Sequence, residues 1–263
     1  MTGTPERVGL IGLGAIGEGI VELVDHHAVE DFELVAALVR DPSSPRAADS
    51  LDRVTTLDEV LEKRPHVIAE VAGHDALRTH GPEILRAGCD LIAVSVGALA
   101  DPKTHDALLT AAEAGGGRLT IVSGAIGALD AIAAAALGGL SRVIHTTRKP
   151  ARALLGADAE GLEAAREIFH GSAREGALRF PESINVAVAV SLAGLGLDHT
   201  EVRVIADPSV EHNRHEVVAE GSFGSLRFEI QSVPTETNPR TSRIVAMSVV
   251  RTLLSRRAPV VVG

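Results

Sequence analysis

The chain has 263 residues, of which 45% are hydrophobic, and its formal net charge is −10. This length and composition predict a globular protein with one large domain or two modest ones, and they exclude a disordered chain. The acidic balance, with no Trp, no Tyr and five Phe, argues against nucleic acid as a partner, because phosphates are repelled and stacking platforms are scarce.

Cysteine chemistry is limited to Cys89, which lies in the apolar run CDLIAVSV. One cysteine cannot form an internal disulfide, and no Cys/His zinc pattern is present, so we expect a buried, inert thiol and no metal site. The sequence has neither a secretory signal pattern nor an apolar run of membrane-spanning length. These observations predict a cytoplasmic protein with no membrane partner.

The first half of the chain alternates apolar strand patterns with amphipathic helix patterns. The predicted strands span residues 7–12, 32–39, 66–72, 89–96 and 118–124, and the predicted helices span 15–26, 57–62, 75–87 and 102–114. Strands that are apolar on both faces and alternate with helices are typical of a parallel sheet covered on both sides. The ligand site of such a sheet lies at the carboxyl ends of its strands.

The pattern changes near residue 125. Helical patterns are predicted over 128–137, 160–169 and 182–195, strands over 200–208, 214–221 and 225–234, and a last helix over 239–256. The last two strands read as an antiparallel hairpin turning at SFGS. We therefore expect an α/β fold: a Rossmann-type doubly wound domain over 1–124, and an α+β substrate domain over 125–238. Residues 239–263, a helix followed by PVVV, are expected to pack back on the first domain.

The glycines near the amino terminus form the pattern G-x-G-x-x-G, with Gly12, Gly14 and Gly17 around Ala15 and Ile16. The first glycine permits a tight turn, the second lets a pyrophosphate approach the backbone, and the third lets helix and strand pack closely. The helix amino terminus then offers free N–H groups to phosphates. The position between a predicted strand and a predicted helix favours dinucleotide binding over a glycine-rich turn without a ligand.

The second predicted strand ends in LVRDPSS, where an NAD-specific site usually has an acidic residue that binds the ribose. Arg40 stands about at that position, followed by Asp41. An arginine there can bind the 2′-phosphate of NADP, although a solvated loop charge is the alternative. The cofactor is therefore predicted as NAD or NADP.

Two polar clusters of the second half are candidates for the chemistry. DPSVEHNRHEV carries His212, Asn213 and His215 at the entry of a strand, where an acid or base is plausible and a surface loop is the alternative. TTRKP places Arg148 and Lys149 together, either as cations for substrate carboxylates or as a solvated pair.

With these motifs in view, the sequence resembles the L-aspartate dehydrogenase family along nearly the whole chain. The resemblance rests on GLIGLGAIG, AEVAGHDAL, LIAVSVGALAD, SGAIGALDAI, TTRKP, FPESINVAVAVSLAG, DPSVEHNRHEV and TETNPRTSRIVAMSVVRTL. It implies that His215 is the catalytic residue. It also implies that Ala125 contacts the cofactor through its backbone amide, and that Asn185 contacts the cofactor.

The resemblance further implies that L-aspartate loses a hydride from C2 to the nicotinamide. The product is iminosuccinate, which hydrolyses to oxaloacetate and ammonia or supplies NAD biosynthesis. Arg148 and Lys149, with Thr146 or Thr147, are the candidates to hold the two carboxylates. His215 is the candidate base that neutralises the amine.

Two alternatives stay open. One is another two-domain NAD(P) oxidoreductase, such as a dihydrodipicolinate reductase or a sugar dehydrogenase; SVGALAD replaces the Glu-Lys-Pro usual in the latter, which counts against it. The other is a non-catalytic dinucleotide sensor. The partner is expected to be a small-molecule substrate, and the hairpin edges of the second domain predict a homodimer.

Overall fold

The computed structural model describes residues 4–26, 31–43, 51–180, 184–236, 238 and 241–262. The chain divides into two compact units, one formed by Met1–Val122 with Val245–Gly263, and the other by Ser123–Ile244. The predicted helix starts at residues 182 and 239 lie outside the described residues. No helix in the described part of the chain is long and apolar enough to cross a membrane.

Five strands of the first unit were predicted, and the two-residue strand Arg53–Val54 was not. The strands are β1 Glu6–Ile11, β2 Phe32–Leu38, β3 Arg53–Val54, β4 Val67–Glu70, β5 Asp90–Ala93 and β6 Leu119–Ile121. Within the described residues they form one six-stranded parallel sheet in the order β3-β2-β1-β4-β5-β6. This is the strand order of a doubly wound dinucleotide-binding fold, so the predicted fold class of the first unit is confirmed.

The helices are, in chain order, α1 Ala15–His26, α2 Leu57–Glu62, α3 His74–Arg86, α4 Pro102–Gly115, α5 Leu129–Gly138, α6 Ala151–Leu155, α7 Ala173–Arg179, α8 Asn185–Ala193 and α9 Ile244–Ser255. Local signals set several ends: Thr56 forms a capping box with Glu59 at the start of α2, and Asp101 caps α4. Gly116 ends α4 in the left-handed conformation, with φ of 78°.

The carboxyl-terminal helix belongs to the core of the first unit. Val249 and Leu253 of α9 lie in the same buried cluster as Val8 and Leu10 of β1. Just beyond α9, the guanidinium of Arg256 donates to Glu6 at 2.7 and 2.8 Å and to Asp90 at 2.7 Å. Apolar packing and these half-buried ion pairs together join the end of the chain to β1 and β5.

The strands of the second unit are β7 Leu140–Pro150, β8 Arg166–Ser172, β9 Glu201–Asp207, β10 Arg214–Gly221 and β11 Gly224–Gln231. In the described part of the chain they form a five-stranded mixed sheet in the order β11-β10-β7-β9-β8. β7 and β9 run parallel, and the other neighbours are antiparallel. The predicted α+β class and the β10–β11 hairpin are therefore confirmed.

One face of this sheet is covered by helices. Val217 of β10 and Val143 of β7 are fully buried in a cluster with Ile132 of α5 and Val190 of α8. Because side chains alternate along a strand, every second residue of β7 and β10 faces the same helices. The covered face is therefore the place to look for buried polar groups of the second unit.

The helix predicted over residues 160–169 is wrong, because residues 160–165 form turns and irregular structure and Arg166–Ser172 forms β8. β8 pairs antiparallel with β9, and Glu167 accepts a hydrogen bond from Arg203 across the pair at 2.5 Å. Cross-strand pairing outweighs the local helical periodicity here, as is common for short segments. The last helix also begins later than predicted, at Ile244.

Cys89 is buried, as predicted, with 4% of its surface exposed. Burial, with a smaller contribution from the charge of Asp90, raises the pKa of its thiol to about 12. The thiol is therefore protonated at neutral pH and is a poor nucleophile.

Candidate active site

The glycine loop joins β1 to α1, and its backbone leaves no room for side chains at two positions. Gly12 has φ of +96°, and a Cβ there would lie 2.8 Å from the Cβ of Ala72. A Cβ on Gly17 would lie 2.4 Å from the carbonyl oxygen of Gly12. Gly14, Ala15 and Ile16 lie between them, and Ala15 is the first residue of α1. The bare backbone at the amino terminus of a twelve-residue helix fits the pyrophosphate of a dinucleotide.

A buried carboxylate organises the sheet edge beside this loop. Glu70, the last residue of β4, has no exposed surface. Its Oε1 accepts from the backbone N–H of Ala72 at 2.8 Å and of Gly73 at 2.9 Å, and from the hydroxyl of Ser95 at 3.0 Å. Its Oε2 accepts from the backbone N–H of Ser95 at 3.1 Å. Glu70 thereby fixes the turns that follow β4 and β5, including Ala72, which touches Gly12.

Burial raises the pKa of Glu70 above its ordinary value, and the four hydrogen bonds oppose that rise. Sequence reasoning did not identify Glu70, since it lies in the apolar strand VIAE. The signal that could have found it is the single charge within a strand predicted to be buried on both faces.

Arg40 lies just beyond the carboxyl end of β2, whose last residue, Leu38, accepts a hydrogen bond from the glycine loop. The N–H of Gly12 donates to the carbonyl of Leu38 at 2.9 Å, and Arg40 follows Leu38 by two residues. Arg40 is exposed. Asp41 is exposed and accepts from the N–H and hydroxyl of Ser43 at 2.9 and 2.6 Å. These hydrogen bonds lower the pKa of Asp41, so its carboxylate is ionised and held in a local turn.

Ala125 and Asn185 both belong to the second unit. Ala125 is buried, in a turn where the N–H of Ile126 donates to the carbonyl of Ser123 at 3.2 Å. Asn185 is the first residue of α8 and is half-buried. Ala125 therefore lies in the turn before α5, and Asn185 lies at the start of α8.

His215 lies on the helix-covered face of the second sheet with two other polar residues, His145 and Thr147. The register pairs Thr147 with His215 across β7 and β10, and His145 with Val217. Their exposed fractions are 6% for His215, 1% for His145 and 3% for Thr147. We call these three residues the histidine cluster.

The polar atoms of the histidine cluster form a closed triangle. His215 Nδ1 lies 3.3 Å from His145 Nε2 and 3.2 Å from Thr147 Oγ1, and Thr147 Oγ1 lies 3.5 Å from His145 Nε2. The two imidazole planes are inclined by only 11° and their centroids are 5.5 Å apart, so the rings lie edge to edge with these two nitrogens between them. Among the described residues, the other ring nitrogen of His145, Nδ1, is buried without a hydrogen-bond partner. An unpaired buried polar group costs about 1–3 kcal/mol, so the cluster calls for a functional explanation.

Both imidazoles are held in the neutral form. Burial, and then the charge of Lys149, lower the pKa of His215 to about 4. Burial, and then His215, lower the pKa of His145 well below its ordinary value. At neutral pH each ring therefore carries one proton and has one nitrogen with a free lone pair.

The two predicted substrate cations lie on different faces of the sheet. Lys149 alternates with Thr147 and so shares the face of His215, on whose pKa its charge acts. Arg148 points to the other face, where its Nη1 lies 2.8 Å from Oδ2 of the buried carboxylate of Asp207. To bind a substrate carboxylate, Arg148 would have to give up or share this ion pair.

The structure brings His215 together with Thr147 and Lys149, but it places Arg148 elsewhere. Asn213 and His212 precede β10 and are half-buried; the carbonyl of Asn213 accepts from the N–H of Ser232 at 2.8 Å. His145 was missed by sequence reasoning, since its environment depends on the register of β7 against β10. The alternation of Val143, His145 and Thr147 in a strand was the available signal.

Two family models match the two units in turn. The model described as aspartate dehydrogenase, C-terminal, matches residues 130–256. The model described as homoserine dehydrogenase, NAD binding domain, matches residues 12–121 and begins at Gly12. The glycine loop thus lies in a segment similar to an NAD-binding domain.

Curated relatives match almost the whole chain. An L-aspartate dehydrogenase of Cupriavidus taiwanensis is 42% identical over 258 residues, which cover 95% of this chain and 97% of the relative. One of Pseudomonas aeruginosa is 43% identical over 255 residues, covering 93% and 95%. The crystal structure of aspartate dehydrogenase from Thermotoga maritima superposes with a TM-score of 0.82 at 26% identity, covering 98% of this chain and 99% of that one.

Proposed function

Since the chain belongs to the L-aspartate dehydrogenase family and is an oxidoreductase with a domain for a nicotinamide dinucleotide, we propose that it oxidises L-aspartate with NAD⁺ or NADP⁺. The observation that carries this proposal is the identity to L-aspartate dehydrogenases along nearly the full length of both chains. In the proposed reaction, L-aspartate, NAD(P)⁺ and water give oxaloacetate, ammonium, NAD(P)H and a proton, with iminosuccinate as the intermediate that water hydrolyses.

We propose that Gly12, Gly14 and Gly17, with Ala15 and Ile16, hold the dinucleotide pyrophosphate. The contacts with Gly12 and Gly17 that exclude a Cβ support this role. Arg40 is proposed to bind the 2′-phosphate when the cofactor is NADP, and Ala125 and Asn185 are proposed as further cofactor contacts. The cofactor, when bound, supplies the nicotinamide that accepts a hydride from C2 of the substrate.

His215 is proposed to take a proton from the substrate ammonium group, because only a neutral amine can stabilise the developing imine. The low pKa of His215, about 4, keeps its imidazole unprotonated at neutral pH and able to accept a proton. The two carboxylates of bound aspartate would raise that pKa, because nearby negative charge stabilises an imidazolium. The base therefore becomes stronger when substrate is present.

Lys149 is proposed to bind one substrate carboxylate, because it shares the face of His215. Of the two candidate hydroxyls, that of Thr146 lies on the opposite face with Arg148, and that of Thr147 contacts His215. Arg148 remains a candidate that requires rearrangement of its ion pair with Asp207. A neutral base beside a fixed cation suits a substrate that has one ammonium and two carboxylates.

The test is a panel of L-amino acids with NAD⁺ and NADP⁺, measured as reduced nicotinamide. L-aspartate should give the highest kcat/KM, and His215→Ala should lower kcat by roughly 10²–10⁴-fold, as expected for a general base. Coenzyme binding by His215→Ala should be unchanged. The matched control is His170→Ala, since His170 is half exposed and pairs with Glu201.

Three outcomes would overturn parts of this proposal. Coenzyme binding without turnover of any amino acid would make the chain a dinucleotide sensor. A preference for another amino acid would replace the substrate. Normal turnover by His215→Ala would remove His215 from the mechanism.

We further propose that the cell uses the iminosuccinate for NAD biosynthesis. A coupled assay tests this use: a quinolinate-forming enzyme added to the reaction should yield quinolinate, and no quinolinate would mean that the imine hydrolyses first. A homodimer and a cytoplasmic location stay predictions from the sequence.

A further inference from the structure

The proposed role of His215 assigns no function to His145 or to the hydroxyl of Thr147. Both are almost completely buried, and both direct a polar atom at the same nitrogen, His215 Nδ1. In a packed sheet face whose neighbouring positions are Val217 and Val143, two such polar groups are unusual. Their common target points to a function exerted through His215.

A base at His215 requires a particular proton arrangement. A neutral imidazole has one N–H, so Nε2 has a lone pair only when the proton is on Nδ1. A proton on Nδ1 needs an acceptor, because the site is buried. Two uncharged acceptors are within reach: Thr147 Oγ1 at 3.2 Å and His145 Nε2 at 3.3 Å.

We propose that His145 and Thr147 are positioning residues that together accept the Nδ1 proton of His215 and so leave its Nε2 as the base of the reaction. This inference rests on the proposed function of His215. The ring of His145, which lies edge to edge with His215 and nearly in its plane, fixes the orientation of the His215 imidazole together with the Thr147 hydroxyl. When Nε2 receives the substrate proton, the same two acceptors hold the Nδ1–H of the imidazolium.

The arrangement differs from the acid–histidine pair of serine hydrolases, in which a carboxylate orients the base and stabilises its charged form. Here the orienting groups are neutral. The charged group that lowers the pKa of His215 is Lys149 on β7, and His145, also on β7, is itself kept neutral by burial and by His215. The His215 imidazole is thus oriented without the increase in its pKa that a neighbouring carboxylate would cause. The carboxylates of the bound substrate supply that increase instead.

A matched pair of variants at each position tests the inference. His145→Phe keeps a ring but removes the acceptor, whereas His145→Gln keeps an acceptor near the place of Nε2. Thr147→Val removes the hydroxyl at nearly constant volume, and Thr147→Ser retains it. We expect His145→Phe and Thr147→Val to lower kcat by roughly 10–100-fold, with the Gln and Ser variants recovering most of it and the coenzyme Kd constant throughout.

Two further readouts separate positioning from a structural role. The double variant His145→Phe/His215→Ala should be no slower than His215→Ala alone, because residues that act through one base are not additive. His145→Ala should admit water beside His215, so the acid limb of kcat/KM should move from about 4 toward 6.5. A structural defect would lower activity at every pH without moving this limb.

Wild-type kcat in both His145→Phe and Thr147→Val, with His215→Ala inactive, would overturn this inference alone. Normal turnover by His215→Ala would instead overturn the proposed function. If His145→Phe does not fold, the Thr147→Val and Thr147→Ser pair decides the question by itself.

Discussion

The glycine loop is a site formed by the backbone, whereas the histidine cluster is formed by side chains. The loop is one continuous segment of backbone, in which two missing side chains create the space. The cluster consists of side chains whose partners, His145 and His215, are 70 residues apart in sequence. Changes in the loop should therefore act through shape and stability, and changes in the cluster should act through proton position.

Glu70 provides the strongest test of that contrast, because its side chain holds the turns that lie beside the glycine loop. In Glu70→Ala, four hydrogen-bond donors lose their acceptor at a fully buried position. We expect the free energy of unfolding to fall by roughly 3 kcal/mol or more, and the coenzyme KM to rise. Urea denaturation and coenzyme titration measure the two effects.

The matched control is Glu33→Ala, whose carboxylate is about half exposed and should cost about 1 kcal/mol or less. Glu70→Gln should be intermediate, because it keeps the oxygen that accepts three of the donors. An unchanged coenzyme KM in a folded Glu70→Ala protein would contradict the role of Glu70 in shaping the loop edge.

The two regions should also respond to pH in opposite directions. The pKa of Glu70 is raised above 4.5 in the folded state, so its contribution to stability is lost as pH rises through the folded pKa. The pKa of His215 is lowered from 6.5 to about 4, so its contribution is present above 6.5 and is lost as pH falls toward 4.

For His215 alone, the loss between pH 6.5 and pH 5 amounts to about 2 kcal/mol. His215→Leu should therefore reduce the stability difference between pH 7 and pH 5 by about that amount, whatever its effect on stability at pH 7. Urea unfolding at both pH values measures it, with His170→Leu as the exposed control. An unaltered difference in His215→Leu would mean that the ring is not held neutral by burial.

The sequence predicted the first region better than the second for a physical reason. Gly12, Gly14 and Gly17 determine a local backbone shape, and the alternation of strands and helices determines the parallel sheet around it. The environment of His215 depends on the register of β7 against β10, which no local pattern specifies. The helix expected over 160–169 failed for the same reason, because β8 is stabilised by its partner β9.

The residues of the candidate site divide in the same way as the fold: some were named from sequence motifs and others were not. His215, Lys149 and the glycines could be named from motifs, since motifs record residue types at fixed spacing. Glu70 and His145 were not named, because their importance arises from burial beside a partner from another strand and their sequence signals, a lone charge and an alternation, are weak. The pairing of Arg148 with Asp207 likewise follows from neighbouring strands, and it separates two adjacent cations that the sequence treats as equivalent.

Arg40 provides the smallest and most selective test of the loop region. It is exposed, and it follows by two residues the carbonyl of Leu38 that anchors Gly12. If Arg40 binds a 2′-phosphate, Arg40→Ala should weaken NADP⁺ binding by about tenfold, or about 1.4 kcal/mol, and leave NAD⁺ binding unchanged. The difference should shrink with added salt, because an exposed ion pair is screened.

The control for a general loss of positive charge is Arg53→Ala, since Arg53 is a half-buried arginine on β3. Equal weakening of both coenzymes in Arg40→Ala would show that the arginine supports the loop rather than reading the phosphate. Coenzyme preference would then have to come from residues elsewhere in the first unit.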